Sequence, residues 1–482
     1  MSQATQKKKF RWQILVDWVI KQIENGGLKK GDLLPSLRKL AGQFDVSLAT
    51  AQRAVLQLEQ LGVIKTIPKV GSEVLMECDK KVEINFSGID VNVDMDVAAM
   101  LAKASLPSTI TLGSAVLDKS LSADPLLRRC LTSVAKNSEI ISQFIPPPGD
   151  VRLRQVIAGH MITRGVSCSP DDVIITAGDT IALELSLTAI GKPKGIVIVE
   201  DPTYFGILQA IEYTGMQALP VKTDPITGID IDIVAAAMEQ GNIAAIFLNP
   251  TLQNPRGFIM PLDKREILVG LAAKHDVTII EDDVFHDLLE RENNVDAIKS
   301  LAADEVIYCS SFTKTISPGF RIGWCIPGKY KASILAQMFG RNLSVSSLPQ
   351  AVLVDFFLKG YHKDHLKKLR QEFMVFSEIF AGLVKEKFPK GTVYHPPNAG
   401  FVHWIELPKS VDMIEFHKEV EHCGIIIPPA SIFSITGRYN NCLRFCLTSK
   451  MTSELITTIT CLGELAIKYD DYEMRSTQSN GR

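Results

Sequence analysis

The chain of 482 residues is too long for one ordinary hydrophobic core, and its 46% hydrophobic and 22% charged residues are typical of globular rather than disordered proteins. No apolar run approaches the roughly 18 residues that span a bilayer, and the N-terminal stretch MSQATQKKKF lacks the apolar segment of a signal peptide. We therefore expect a cytoplasmic, multi-domain protein that does not bind a membrane.

The overall charge of −2 conceals an uneven distribution. Residues 1–75 contain nine lysines and three arginines against three aspartates and three glutamates, a net charge of +6 that leaves −8 for the remainder. A basic module attached to an acidic body suggests that the module binds nucleic acid. Charge alone does not decide this, because the lysine run at 7–9 is also what a solvated tail contains.

Three helical patterns follow one another in the N-terminal region. The segment FRWQILVDWVIKQIENGGL has apolar residues at helical spacing and a glycine pair as its stop. A second helix is expected after the N-cap Ser36, and a third after the N-cap Ser47. The third has an inward apolar stripe, which leaves Thr50, Arg53 and Gln57 on its outer face. Two helices joined by a tight turn predict a helix-turn-helix.

The next segment, VIKTIPKVGSEVLM, predicts a two-stranded wing. Lys65 and Lys69 lie near its tip, and Gly71 stands where the backbone is expected to approach another group closely. The pattern LPS.R.LA…VS..T…A…LE..G across residues 11–75 resembles the winged helix-turn-helix domain of GntR-type transcription regulators. The resemblance implies binding to double-stranded operator DNA. Its implied DNA contacts, with the wing lysine added for phosphates, are Ser36, Arg38, Ser47, Thr50, Arg53, Lys69 and Gly71.

One position in the third helix departs from this pattern. Leu48 follows the capping serine where the family usually has arginine, so the bidentate contact of an arginine with guanine is absent. Leu48 either packs against a thymine methyl group or takes no part in base recognition. The alternative for the whole region is a small helical protein-interaction module, which the basic charge and the wing disfavour.

The domain boundaries follow from changes in the pattern. Residues 77–106 have mixed polarity and no sustained period, which indicates a linker with room for one short helix. We therefore divide the chain into a DNA-binding domain at 1–76, the linker at 77–106, a larger domain at 107–470 and a flexible tail at 471–482.

In the larger domain, apolar β-rich runs alternate with helical patterns, which predicts an α/β sheet. Several runs are nearly continuous in valine and isoleucine, as strands buried on both faces should be. Ligands of such sheets bind at the carboxyl ends of the strands. Polar side chains follow four of these runs, namely Tyr204, Asn254, Asp282, Ser311 and Lys314.

This set matches the needs of pyridoxal 5'-phosphate, a pyridine aldehyde phosphate. Lys314 is the candidate for a Schiff base with the aldehyde, and Asp282 for the partner of the pyridine nitrogen. Asn254 is positioned to donate to the ring hydroxyl, and Tyr204 to stack on the ring. The phosphate needs donors and positive charge, which we assign to Ser311, Arg321 and the helix start at Asp179 and Thr180.

Each of these residues has an ordinary structural interpretation when it is taken alone, such as a solvated lysine or a strand-end carboxylate. Their order and strand-end placement together resemble fold-type I pyridoxal-phosphate enzymes of the aminotransferase class I/II family, over residues 107 to about 465. The matching pieces are GD at 178–179, DPTY, QNPRG, EDDVF, SSFTKTISPGFRIGW and NCLRFCLT. The resemblance implies a mostly parallel sheet, a smaller α+β subdomain and a substrate-carboxylate role for Arg444, whose planar fork suits a carboxylate.

A GntR-type domain fused to an aminotransferase-like body resembles MocR-type transcription regulators, and this implies a homodimer. Three residues depart from the enzymes' pattern. Phe285 and Phe144 stand where tyrosines are common, and Asp179 stands where serine is usual beside the phosphate. These changes leave Schiff-base chemistry possible and weaken the case for efficient turnover.

Two hypotheses follow. The first is a DNA-binding regulator whose aminotransferase-like domain holds pyridoxal phosphate and senses it, or an amine or amino acid, as effector. The alternative is an active pyridoxal-phosphate aminotransferase that carries an accessory DNA-binding module, because Lys314, Asp282 and Arg444 are all present.

Overall fold

The computed structural model of the chain describes residues 12, 15–16, 18–19, 22, 28, 30–44, 46–60, 63–67, 71–75, 86–104, 110–137, 139–290, 295–341 and 343–470. The chain divides into two compact units, Met1–Phe86 and Ser87–Arg482. Among the described residues, no helix is long and apolar enough to cross a membrane.

The first unit is a winged helix-turn-helix, as the sequence predicts. Its elements are α1 (Leu37–Gln43), α2 (Leu48–Gln60), β1 (Ile64–Ile67) and β2 (Gly71–Val74), preceded by helical turns at the described residues between 12 and 22. The two strands pair antiparallel and form the wing. Fully buried apolar side chains join the helices, among them Leu15, Leu40 and Leu58. The predicted phosphate contact Lys69 lies outside the described residues.

The second unit contains all the remaining strands and helices. Its strands are β3 (Ile110–Thr111), β4 (Ile174–Thr176), β5 (Ile196–Asp201), β6 (Gln217–Asp224), β7 (Gly228–Ile229), β8 (Ile243–Leu248), β9 (Thr278–Asp282), β10 (Val306–Ser311), β11 (Gly323–Ile326), β12 (Val393–Tyr394), β13 (Val402–Glu406), β14 (Ile425–Ile426) and β15 (Cys442–Cys446). Its α-helices are α3 (Asp94–Ala104), α4 (Asp124–Asn137), α5 (Val151–Met161), α6 (Asp179–Ile190), α7 (Phe205–Thr214), α8 (Ile231–Gln240), α9 (Leu262–His275), α10 (Lys331–Arg341), α11 (Ser347–Leu358), α12 (Tyr361–Lys387), α13 (Met413–His422) and α14 (Ser453–Asp470).

An eight-stranded sheet in the order β4-β11-β10-β9-β8-β5-β6-β7 forms the centre of this unit. The five strands from β10 to β6 in that order run parallel, whereas β11 and β7 run against their neighbours. Every residue of β5, β8, β9 and β10 is buried, because helices cover both faces of the sheet. The mostly parallel α/β sheet is therefore confirmed, and the carboxyl ends of its central strands meet at one edge.

A smaller α+β part completes the second unit, also as predicted. Its three-stranded antiparallel sheet has the order β12-β13-β15. Apolar side chains of α12, α13 and α14 pack with these strands in one core, which includes Phe380, Phe416, Leu443 and Ile459.

Residues 87–104, which the sequence analysis places in the linker, pack onto the second unit. Ile89 exchanges two backbone hydrogen bonds with Ala218 of β6, at 2.8 and 3.0 Å. In α3, Val97 is 1% exposed and packs in a cluster with Trp404 and Phe433. The apolar stripe of α3 is too short to be recognised in the sequence, but in the structure it packs into this apolar cluster. Residues 77–85 and 105–106 of the assigned linker and the tail at 471–482 lie outside the described residues.

Candidate functional site

A cavity lies at the carboxyl ends of the central strands, and it collects all eight residues predicted to bind the cofactor. Those eight come from β9, β10, the start of α6 and the loops after β5, β8, β10 and before β11. Val284, Phe285 and Thr313 line the same cavity. The eight predicted residues are Asp179, Thr180, Tyr204, Asn254, Asp282, Ser311, Lys314 and Arg321.

Lys314 and Asp282 both line this cavity, and burial favours the neutral form of each. The Lys314 Nζ donates a hydrogen bond to the Ala115 carbonyl at 3.1 Å. Burial lowers the pKa of Lys314, which favours the neutral amine. Asp282 is 2% exposed, and burial together with the nearby Asp179 carboxylate raises its pKa well above the usual range. The site therefore offers a nucleophilic amine and a buried carboxyl group that gains from a cationic partner.

Groups that would suit an anion meet at the start of α6, and we call this place the anion cradle. Gly178 has φ +96° and ψ 170°, a conformation that is essentially reserved for glycine. A Cβ at Gly178 would lie 2.6 Å from the Arg321 Nη2, and one at Gly323 would lie 2.6 Å from the Gly178 carbonyl carbon. The two glycines thus let the Arg321 guanidinium lie against a helix N-terminus, where first-turn N–H groups lack helical partners.

Asp179 begins α6 beside this cradle. Burial raises its pKa to about 7, although Lys314 and Arg321 pull in the opposite direction. Its Oδ1 is buried and makes no hydrogen bond to the described residues. Because burial favours the protonated form, this carboxyl group brings less negative charge to the anion cradle than an exposed aspartate would.

A network behind the cavity holds Asn254 and Asp282 in register. The Asn249 Oδ1 accepts from the Asn254 backbone N–H at 2.7 Å, and its Nδ2 donates to the Asp282 carbonyl at 2.7 Å. The Asn249 backbone N–H donates to the buried Glu200 carboxyl at 3.1 Å. Sequence reasoning missed Asn249 and Glu200, although both stand at strand ends, where such residues are to be expected.

Tyr204 precedes α7 and closes one side of the cavity. It hydrogen bonds to Thr180, and burial followed by the Asp179 charge raises its pKa to about 12. The phenol therefore stays neutral and acts as a wall with one polar end.

Arg444, on β15, borders a second, more apolar cavity that shares Lys314 and Tyr204 with the first. Its guanidinium donates to the Asn254 Oδ1 at 3.2 Å and to the Gly113 carbonyl, and it lies 4.4 Å from the Phe433 ring centre. The Nε is buried and makes no hydrogen bond to the described residues. The predicted carboxylate-binding arginine thus lies beside the predicted cofactor residues.

The three departures from the enzymes' pattern fall in different surroundings. Phe285 lines the first cavity and packs edge-on against Phe401, with ring centres 5.6 Å apart. Asp179 lines it as well. Phe144 is 62% exposed and is not among the lining residues. Two of the three substitutions therefore change the cavity of this chain itself.

In the first unit, the predicted DNA contacts lie on the helix-turn-helix and the wing. The Ser36 hydroxyl accepts from the Lys39 N–H at 3.4 Å, and the Ser47 hydroxyl from the Thr50 N–H at 3.2 Å. Both serines therefore cap helices, whatever else they contact. Arg53 is exposed and lies 5.1 Å from the ring centre of Trp12.

Three further positions complete this surface. Arg38 is exposed on α1, and Leu48, the first residue of α2, is 52% exposed. Gly71 begins β2 with φ +139°, and a Cβ there would meet only Leu33, at an ordinary 3.7 Å. Within the described part of the first unit, its backbone conformation rather than a close contact requires glycine.

Two family models match the chain. Residues 116–460 match the aminotransferase class I and II family, and residues 15–74 match the gntR family of bacterial regulatory proteins. The HTH-type transcriptional regulators YjiR and YdcR of Escherichia coli strain K12 are each 33% identical to it, over 90% of this chain and 94% of theirs. The chain belongs to the MocR-type transcription regulators.

The fold of the second unit is similar to that of a solved aminotransferase structure. The kynurenine aminotransferase of Pyrococcus horikoshii, solved in complex with PMP, is 25% identical with a TM-score of 0.71, covering 77% of this chain and 94% of that one. The gntR match lies within the first structural unit, and the aminotransferase match lies within the second.

Proposed function

We propose that this MocR-type regulator binds pyridoxal 5'-phosphate in the first cavity, through Lys314, and that occupancy of the two cavities controls operator binding. The observation that carries the proposal is the convergence of the eight predicted residues on one cavity, in a chain that also has a gntR-type domain. When bound, the cofactor supplies an aldehyde that condenses with amines and a ring that withdraws electrons.

The residues present fit this group. A dianionic phosphate suits the start of α6, where Arg321 and first-turn N–H groups converge. The unpaired Thr313 hydroxyl is a further buried donor without a partner among the described residues. At the opposite end, a pyridinium N–H suits the Asp282 carboxyl group, since a cationic partner offsets the burial that raises its pKa.

The second cavity supports an amino-acid or amine effector. Arg444 offers a planar, bidentate partner for a carboxylate, and Lys314 lies on the same cavity wall. The rest of the lining is largely apolar, which favours an effector with a hydrophobic side chain or a short one. A carboxylate on Arg444 and an amine near Lys314 would orient such an effector.

Operator binding is assigned to the first unit, in which α2 is the recognition helix. Arg53 and Thr50 are the candidates for base contacts, whereas Ser36 and Arg38 position the backbone of the duplex. A homodimer would present two such units to a palindromic operator.

The alternative function is a working aminotransferase with an accessory DNA-binding module. It is supported by the placement of Lys314, Asp282 and Arg444 around adjoining cavities. Against efficient turnover stand Phe285, which cannot donate a hydrogen bond to the cofactor ring, and Asp179 beside the phosphate cradle.

The deciding experiment pairs a mobility-shift assay with a steady-state transamination assay on an amino-acid panel. We expect sequence-specific binding upstream of the protein's own gene, weakened by Arg53→Ala, with negligible turnover. Lys314→Ala should abolish the visible absorption that pyridoxal phosphate gains on binding. Strong turnover without any sequence preference in DNA binding would instead establish the enzyme.

A further inference from the structure

A cluster of three histidines and one aspartate lies outside both cavities, where α5, α12 and the loop after β9 meet. Its members are His160 at the end of α5, His286 and Asp287 in the loop, and His362 at the start of α12. None lines either cavity described above. Their side chains are only 4–14% exposed, so the cluster is nearly closed to solvent.

The Nε2 atoms of two of these histidines converge on one carboxylate oxygen. The Asp287 Oδ1 lies 2.8 Å from the His160 Nε2 and 3.1 Å from the His286 Nε2, and these two nitrogens lie 3.1 Å apart. Ligands of a tetrahedral zinc ion lie about 3.3 Å from one another, because each is about 2.0–2.1 Å from the ion. The three atoms therefore have nearly the separations of one face of such a site.

The tautomer of His286 leaves its Nε2 in need of a cation. The His286 Nδ1 lies 2.7 Å from the Asp283 carbonyl oxygen, which only accepts, so the Nδ1 carries the proton and donates. In the neutral ring the Nε2 then has a bare lone pair facing the Asp287 carboxylate. A metal ion or an additional proton must separate them, and a histidine held through its other nitrogen is typical of metal ligands.

Three neighbouring residues, His362, Arg370 and Asp283, complete the surroundings. The His362 Nε2 is buried and makes no hydrogen bond within the described part of the chain, although it lies 3.4 Å from the Asp287 Oδ2. Arg370 donates to the Asp287 backbone carbonyl at 2.7 and 3.0 Å, which fixes the loop. Asp283, on the far side of His286, is already paired with Arg164 at 2.8 Å. The His362 nitrogen thus lies beside Asp287, whereas the ligand atoms of His160, His286 and Asp287 all lie within 4.8 Å of one another.

We propose that His160, His286 and Asp287 bind a divalent transition metal of the zinc class. Imidazole nitrogens and one carboxylate oxygen suit Zn²⁺ and the related Co²⁺ ion. The site ties together two segments that are far apart in sequence. It also braces the loop whose preceding residues, Asp282 and Phe285, line the first cavity.

The test uses the full-length protein without a histidine tag, stripped with a chelator and titrated with Co²⁺ followed by Zn²⁺ in competition. We expect one Co²⁺ per chain with the intense visible absorption of a tetrahedral site, displacement by one equivalent of Zn²⁺, and a higher thermal midpoint with metal bound. His160→Gln should weaken Co²⁺ binding at least tenfold.

The matched control is His395→Gln, an exposed histidine elsewhere in the second unit, which should bind Co²⁺ as the wild type does. His160 is chosen because it is the most exposed of the four, and circular dichroism verifies that its variant is folded. The proposal is overturned if the wild type takes up no stoichiometric Co²⁺, in which case a proton holds the cluster together. Uptake that His160→Gln leaves unchanged overturns it equally.

Discussion

Gly178 has no side chain, and this absence leaves the space that the Arg321 guanidinium occupies. The glycine has no chemistry of its own, yet its backbone conformation and its missing Cβ decide where a guanidinium lies. The sequence pattern predicts that Arg321 binds the phosphate. The contact of Arg321 with the start of α6 becomes visible only in three dimensions.

Replacement of Gly178 by alanine should therefore damage the anion cradle. The new Cβ would displace the Arg321 guanidinium and would strain the backbone, at a cost of about 1–3 kcal/mol in the free energy of unfolding. We expect the affinity for pyridoxal phosphate, measured by visible absorption, to fall about tenfold or more. Gly191→Ala, at the other end of α6, is the control, since φ is also positive there, at +66°, and the nearest described atom would lie 3.8 Å from its Cβ. Equal loss of affinity in both variants would contradict the cradle.

Glu200 gives a second prediction at this scale, which concerns pH. Burial raises its pKa from 4.5 to about 8, so the folded chain holds a proton that the unfolded chain releases. The contribution of Glu200 to stability is complete below about pH 4.5 and is lost as the pH rises through about 8. Glu200→Gln should thus become progressively more stable relative to the wild type across this interval.

Urea denaturation of the two proteins at several pH values measures this difference. Glu266→Gln, at an exposed position on α9, is the control for the removal of one carboxyl group. A pH-independent difference for Glu200→Gln would mean that this carboxyl group is already ionised in the folded protein.

At the scale of whole elements, the sequence predicts best those features whose signals lie within a single segment of the chain. The caps at Ser36 and Ser47 and the apolar strands could be predicted, because their signals lie within about ten residues of each other. The packing of α3 against Trp404 could not be predicted from the sequence, and neither could the cluster that contains His160 and His286. Their partners are more than a hundred residues away in the chain, and no local period encodes such distances.

The recognition helix α2 carries the prediction at this scale. Leu48→Arg introduces a bidentate donor at an exposed position of the first turn, and we expect the selected operator to gain a guanine preference of about 1–3 kcal/mol at one base pair. Selection from a randomised duplex library measures this. Leu56→Arg, at 53% exposure two turns further along, adds the same charge and should strengthen binding without a new preference. An unchanged motif for Leu48→Arg would show that residue 48 does not face the groove.

For the molecule as a whole, the cavities lie in one compact unit and the helix-turn-helix lies in the other, so the proposed control requires ligand binding in one unit to be coupled to operator binding in the other. If cofactor or effector binding alters the affinity for the operator, thermodynamic linkage requires the operator to alter cofactor or effector affinity by the same factor. We expect a factor of about 5–150, the usual range for coupled sites. Fluorescence anisotropy with labelled operator, set beside cofactor titrations with and without DNA, measures both directions.

Lys314→Ala provides the reference for this coupling, because its operator affinity should not respond to pyridoxal phosphate or to amines. If the wild type is equally unresponsive, the second unit is a passive scaffold for the DNA-binding units. Factors that differ between the two directions would indicate that a third state, such as a change in oligomer, takes part.

The hydrogen bonds of Arg444 have a consequence for any carboxylate that enters the second cavity. The guanidinium already has two protein acceptors, the Asn254 Oδ1 and the Gly113 carbonyl. Its Nε–H has no acceptor among the described residues, so an arriving carboxylate can join the guanidinium without displacing either partner. Asn254 itself lines the first cavity. One guanidinium therefore links the walls of both cavities.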